Sequence, residues 1–210
     1  MNKQRFILLS PILVILVGTI VIRLAERILG VWAWVPWILV YWASIGFLAI
    51  WGGGKESVRR WLARPQGSWL WSLLAILLAL PSLSMFIESS HLLTPLYIWL
   101  PWLFVALVNP FLEEWYWRGL LLDKASILPI WVSVLGSSFF FMLNHLFGIG
   151  VTSVGGRSPV LLVNTFVFGI VFGVIYKKTN SLRWLIVAHA MTNLFGLSIP
   201  VFLNLWMPPG

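Results

Sequence analysis

Seven apolar stretches take up most of the chain: Phe6–Ile22, Val31–Trp51, Ser68–Phe86, Tyr97–Leu122, Ile130–Ile149, Val160–Tyr176 and Trp184–Leu205. A helix crosses the hydrocarbon core of a bilayer in about 20 mostly apolar residues, so each stretch has the length of a span. Lipid offers no hydrogen bonds to free backbone groups, which makes every such span a helix. Composition demands the same solvent. Sixty per cent of residues are hydrophobic and 10% charged, where a soluble domain carries about a quarter charged. The 15 Trp suit membrane interfaces. The expected fold is an all-α, polytopic transmembrane helical bundle of about seven spans, with an eighth helix left open. It forms one integral membrane domain over residues 1–210, with no internal repeat.

The first stretch follows Lys3 and Arg5, as in a signal peptide. It is long for that role and lacks a small-x-small cleavage site, so it reads as an uncleaved span. Turn chemistry separates the stretches at Gly52-Gly53-Gly54, Pro65-Gln66-Gly67, Gly155-Gly156 and Thr179-Asn180-Ser181. Pro36, Pro81 and Pro101 are candidate kinks. The net charge of +8 comes from short basic clusters between spans, a topology signal rather than a nucleic-acid footprint. With the N-terminus in the cytoplasm, that side holds Lys3, Arg5, Lys55, Arg59, Arg60, Arg64, Arg118, Lys124, Lys177, Lys178 and Arg183, against Arg23, Arg27 and Arg157 outside. The absence of cysteine excludes disulfides, thiolate metal sites and a cysteine nucleophile.

Of six acids, Glu26, Glu56, Glu88 and Asp123 fall in or beside loops and read as solvated charge. Glu113 and Glu114 lie inside the fourth stretch, where an acid costs at least about 2.5 kcal/mol and needs a partner or a use. Helical spacing divides them. Glu114 stacks on Arg118 four residues on. Glu113 points about 100° away, on the stripe of Asn109. One acid is thus structural and one available for chemistry. His145 and His189 also lie within spans, with Phe141 one turn before the first and Asn193 one turn after the second. His91 reads as a loop residue, and Asn164 as a helix–helix hydrogen bonder.

A buried carboxylate with an imidazole can deprotonate water. A second His and an amide on one helical face can donate to a developing oxyanion. Together these give hydrolysis of an amide or ester with no covalent intermediate. The chain has no GxSxG elbow and no HExxH. A zinc site of two His and one Glu stays open on ligand type, although three helices would have to assemble it. No cofactor is expected otherwise.

Glu113-Glu114-Trp115-Tyr116-Trp117-Arg118, Phe141-Met142-Leu143-Asn144-His145 and His189-Ala190-Met191-Thr192-Asn193 fit EExxxR, FxxxH and HxxxN. In that order they resemble the CPBP family, the CAAX-protease and bacteriocin-processing membrane proteins of the Abi and Rce1 type. The resemblance runs from Asn109 to Asn193, within a motif-bearing core of about 97–205. It implies a glutamic-type intramembrane endopeptidase in a helical bundle open toward the cytoplasm. Glu113 is then the catalytic glutamate and His145 its partner in activating water. His189 and Asn193 stabilise the oxyanion, while Glu114 and Arg118 support the site. The implied partners are the lipid bilayer and a membrane-associated protein or peptide substrate, and the implied location is a prokaryotic cell membrane. A prenylated tail is one substrate that the resemblance leaves open. Two other classes compete: a proton-coupled transporter, which would show paired broken helices or an inverted repeat, and a non-proteolytic bacteriocin immunity protein. Straight helices pose one difficulty, placing Glu113 about 13 Å and His145 about 24 Å from the cytoplasmic ends of their spans.

Overall fold

A computed structural model describes residues 2–208, and among them every regular element is helical. Helices α1 (Lys3–Leu29) and α2 (Trp34–Trp61) pack against each other, joined by a tight 3₁₀ turn that Gly30 enters at φ 54°. The third stretch is α3 (Leu70–Ala79) and α4 (Leu83–Ser89), with a 3₁₀ turn containing Pro81 between them. Next comes one long rod: α5 (Leu96–Glu113), a π-helical turn (Glu114–Leu120) and α6 (Leu121–Lys124). Helices α7 (Ile130–Phe147) and α8 (Pro159–Thr179) follow, then α9 (Arg183–Phe195) and α10 (Ser198–Phe202).

Five segments are long and apolar enough to cross a membrane: Lys3–Trp61, which holds both α1 and α2, then Leu70–Leu93, Leu96–Lys124, Ile130–Phe147 and Pro159–Thr179. The seventh expected span, 184–205, is interrupted. Helix α9 has 13 residues and ends at Gly196, and Leu197 turns left-handed at φ 50° before α10. At 1.5 Å per residue α9 is about 20 Å long, short of the hydrocarbon thickness. The three glycines at 52–54 also differ from expectation. They lie inside α2, where Gly54 at φ 76° makes a kink, and the chain leaves the helix only beyond Trp61. A side chain on Gly52 would meet Leu120 at 2.8 Å, and one on Gly53 would meet Trp61 at 2.8 Å. Close packing, rather than a turn, accounts for those two. Asn180 ends α8 in the left-handed region as the turn signal suggested.

Apolar side chains point outward along the helices, with Ile28 84% and Ile87 72% exposed, as a lipid-facing surface requires. Cross-links gather the basic residues at one end of the bundle. Lys3 donates to the Trp51 carbonyl, Gln4 to the Lys124 carbonyl, Lys177 to the Leu122 carbonyl and Arg183 to the Leu62 carbonyl. Asp123 anchors this end. It accepts from Arg60, from Trp61 Nε1 at 2.9 Å and from Tyr176 at 2.7 Å. The reading of Asp123 as solvated charge is therefore corrected: it joins α2, α6 and α8. At the opposite end Thr19 reaches the Phe147 carbonyl, Ser153 the Val201 carbonyl, and Trp32 packs on Tyr97.

Candidate active site

The buried polar residues expected at the site converge between α2, α5, α7 and α9. Glu113 and Glu114 are 2% and 0% exposed, Arg118 2% and His189 9%. The i,i+4 reading of the two acids holds. Glu114 Oε1 accepts from Arg118 at 3.1 Å, and Glu113 Oε2 accepts from Asn109 Nδ2 at 2.7 Å. These stripes flank the start of the π turn, whose wider winding begins four residues after Pro110, which lacks a backbone donor.

Arg118 stacks on the Phe141 ring at 4.2 Å, which covers a guanidinium that would otherwise face the cavity. Among the described residues Glu114 Oε2 has no hydrogen-bond partner.

Two interactions that sequence reasoning missed fasten Glu113 to α2. Tyr41 donates to Glu113 Oε1 at 2.7 Å and itself accepts from Trp117 Nε1 at 2.8 Å. Trp42 Nε1 donates to Asn109 Oδ1 at 2.7 Å, fixing the amide whose Nδ2 meets Glu113. Each carboxylate oxygen thus ends a relay that begins at an indole N–H. Both Tyr41 and Trp42 lie outside the motif-bearing core of about 97–205. A phenol and an indole inside a Trp-rich span look like packing, and only the rarity of Tyr, four in the chain, marks Tyr41. Trp37 stacks on Tyr41 with centroids 5.3 Å apart and holds its ring in place.

His189 lies between the acids. Its Nδ1 is 2.8 Å from Glu114 Oε1 and its Nε2 3.3 Å from Glu113 Oε2. His145 is set differently. Its Nδ1 is 2.9 Å from the Phe141 carbonyl. A carbonyl only accepts, so Nδ1 carries the proton and the neutral ring keeps a free lone pair on Nε2. No hydrogen bond or ion pair joins His145 to Glu113 among the described residues, yet both line one cavity of about 1140 Å³ with His189, Asn193 and Arg118.

The difference in depth is smaller than straight helices suggested. Glu113 lies about 16 Å above Lys124 and His145 about 22 Å above Ile130, at 1.5 Å per residue. Side chains lean toward the N-terminus of their own helix. Helix α5 descends toward the basic end and α7 ascends from it, so the two side chains lean toward each other.

Asn193 faces the cavity and makes no hydrogen bond among the described residues. Asn164, expected to bridge helices, also makes none and is exposed on the cavity wall. His91 is exposed in a 3₁₀ turn, as read. No group of three or more His, Asp and Glu among the described residues is disposed to hold a metal ion. Both Glu113 oxygens and Glu114 Oε1 face donors of the protein itself, while Glu114 Oε2 is left open among the described residues.

Removing the Tyr41 hydroxyl should show what the relay does. Tyr41→Phe is expected to lower turnover about 10- to 150-fold, from loss of one hydrogen bond to a charged group worth about 1.5–3 kcal/mol, with KM little changed. An equal rise in KM with unchanged turnover would assign Tyr41 to substrate binding.

Residues 94–195 match the family model described as type II CAAX prenyl endopeptidase Rce1-like. This region contains all three motifs and bears out the resemblance to the CPBP family. No curated protein and no solved structure matches the chain.

Proposed function

With an Rce1-like region at residues 94–195 as the premise, we propose that the chain is an intramembrane endopeptidase. It cleaves a peptide bond of a membrane-associated protein or peptide, and Glu113 and His145 activate the attacking water. The observation that carries this reading is one cavity with a fixed carboxylate and, on its wall, an imidazole whose Nδ1 is engaged by the Phe141 carbonyl, so that Nε2 is the lone-pair nitrogen of the neutral ring.

Glu113 Oε2 already accepts from Asn109 and faces His189, whereas Oε1 accepts only from Tyr41. An oxygen has two lone-pair sites, so Oε1 keeps one for water. A water between Oε1 and His145 Nε2 gives a proton to the Glu113 carboxylate as its oxygen attacks the scissile carbonyl, and Glu113 then passes that proton to the leaving amine as the C–N bond breaks. Asn193 Nδ2 donates to the oxyanion. His189 holds the two glutamates together, and its loosely engaged Nε2 supplies the second donor. For both ring nitrogens to donate, the ring is doubly protonated. No step in this scheme needs a metal.

The test uses purified protein in lipid vesicles, mixed with membranes from cells that lack the chain. Wild-type protein is expected to create new peptide termini. His145→Gln should lower their yield at least about 100-fold, the range of general-base effects, and prolonged dialysis against a chelator should change nothing. Termini that persist with His145→Gln would remove His145 from the reaction. Activity that returns only with added zinc would overturn the metal-free mechanism.

A further inference from the structure

We infer that the catalytic cavity is entered from the non-cytoplasmic side of the membrane and receives an extended, mostly apolar polypeptide segment presented at that face. The identity of the occupant rests on the endopeptidase reading. The side of entry does not.

Charge defines the two ends of the bundle. Arg118 is buried in the site and leaves the topology count. Of the remaining basic residues, Lys3, Arg5, Lys55, Arg59, Arg60, Arg64, Lys124, Lys177, Lys178 and Arg183 share one end, against Arg23, Arg27 and Arg157 at the other. The hydrogen bonds that tie Lys3, Lys177, Arg183 and the Lys124 carbonyl to neighbouring helices make this a structural cluster. A bias of 10 to 3 places the clustered end in the cytoplasm.

The cavity lies away from that end. Its walls come from the start of α2 (Trp37), the end of α7 (His145), the start of α8 (Pro159, Asn164) and the stretch after α9 (Val201, Trp206), all at the sparsely charged end or in mid-bundle. Toward the basic end it stops at Arg118 and Phe172. Trp117, Leu120, Leu122, Tyr176, Leu182 and Leu185 lie beyond, each at most 1% exposed, and close the floor. The ties of Asp123 to Arg60, Trp61 and Tyr176 lock the helices beneath. The bundle expected from the resemblance opens to the cytoplasm. In this chain the charge pattern and the closed floor point the opening the other way.

The size and lining describe the occupant. At about 1140 Å³ the cavity exceeds the usual range for small ligands, about 300–1,000 Å³. Aromatic groups such as Trp37, Phe168 and Trp206 line much of it, with the polar groups gathered at Glu113 and at the rim near Arg157. An extended segment fits this arrangement. Its backbone is exposed to attack at the polar end, and its apolar side chains replace lipid along the walls.

Accessibility of single cysteines tests the side of entry without any cleavage. The chain has no cysteine of its own, so each introduced thiol reports alone. Asn164→Cys and Arg157→Cys place the thiol on the cavity wall and at its rim, and Arg64→Cys provides a reference at the basic end. All three positions are exposed, and the Asn164 side chain makes no hydrogen bond among the described residues that its replacement would break. In intact cells carrying the full chain, a membrane-impermeant maleimide is expected to label the first two at least tenfold faster than Arg64→Cys, which should react only after permeabilisation. Labelling of Asn164→Cys only after permeabilisation, or not at all, would overturn entry from this side, as would labelling of Arg64→Cys in intact cells. The occupant has a separate readout. Cleaved segments should map to the non-cytoplasmic face of their proteins, and cuts confined to cytoplasmic tails would overturn that part. If the thiols label as expected but no protein is cleaved, the entry side stands and the endopeptidase reading fails.

Discussion

Glu113→Gln is expected to abolish cleavage, lowering the rate by about 10²–10⁴, the range for loss of a general base, while the protein still folds. Glutamine keeps the volume of the side chain and one carbonyl oxygen for the Tyr41 hydroxyl, which now meets Oε1 at 2.7 Å. Its amide nitrogen would face Asn109 Nδ2, a donor against a donor, until the Asn109 amide turns. That mismatch costs about 1–3 kcal/mol and should lower the melting temperature by a few degrees without loss of the folded state. Cleavage kinetics and thermal unfolding of the purified variant check both halves. Unchanged cleavage would remove Glu113 from the reaction. Loss of the folded state would make it a structural acid.

Arg118→Ala is expected to act in the opposite sense, mainly on folding. Arg118 and Glu114 form an ion pair with both side chains at most 2% exposed. Removing one partner of such a pair costs about 3–5 kcal/mol, because the other charge stays buried. The loss is compounded by the Arg118 stack on Phe141, although His189 Nδ1 still reaches Glu114 Oε1. The yield of monodisperse protein should fall several-fold, and Arg118→Lys should recover part of it, since it restores the charge without the fork that matches a carboxylate. Normal yield with lost cleavage would instead place Arg118 in the reaction.

The pairing of the two acids with different partners was legible because it depends only on helical spacing. Asn109 with Glu113, and Glu114 with Arg118, each lie four residues apart and each form the expected bond. The histidines were legible as misplaced polar groups in apolar stretches, but not their hydrogen bonds. Only the fold shows that His145 gives its Nδ1 proton to the Phe141 carbonyl while His189 lies between two carboxylates. Tyr41 and Trp42 were hidden by their own chemistry. Each has an apolar ring that satisfies a span and a polar tip whose use depends on a helix some 70 residues away.

Three departures in the fold share a cause, which is tertiary contact overriding local signals. Gly52 and Gly53 read as a turn, yet they admit Leu120 and Trp61 against a continuing helix. Asp123 read as loop charge, yet three donors from α2 and α8 meet it. Residues 184–205 read as one span on hydropathy, yet the left-handed Leu197 divides them, and hydropathy carries no information on backbone sign.

The most direct test of the central claim compares peptide termini across the membrane and secreted proteomes of cells that express wild-type protein or Glu113→Gln at equal levels. The account predicts at least one new terminus that appears with the wild-type chain and is lost with the variant. Identical termini in both cells would contradict proteolysis and leave the buried Glu and His residues to a transport or binding role.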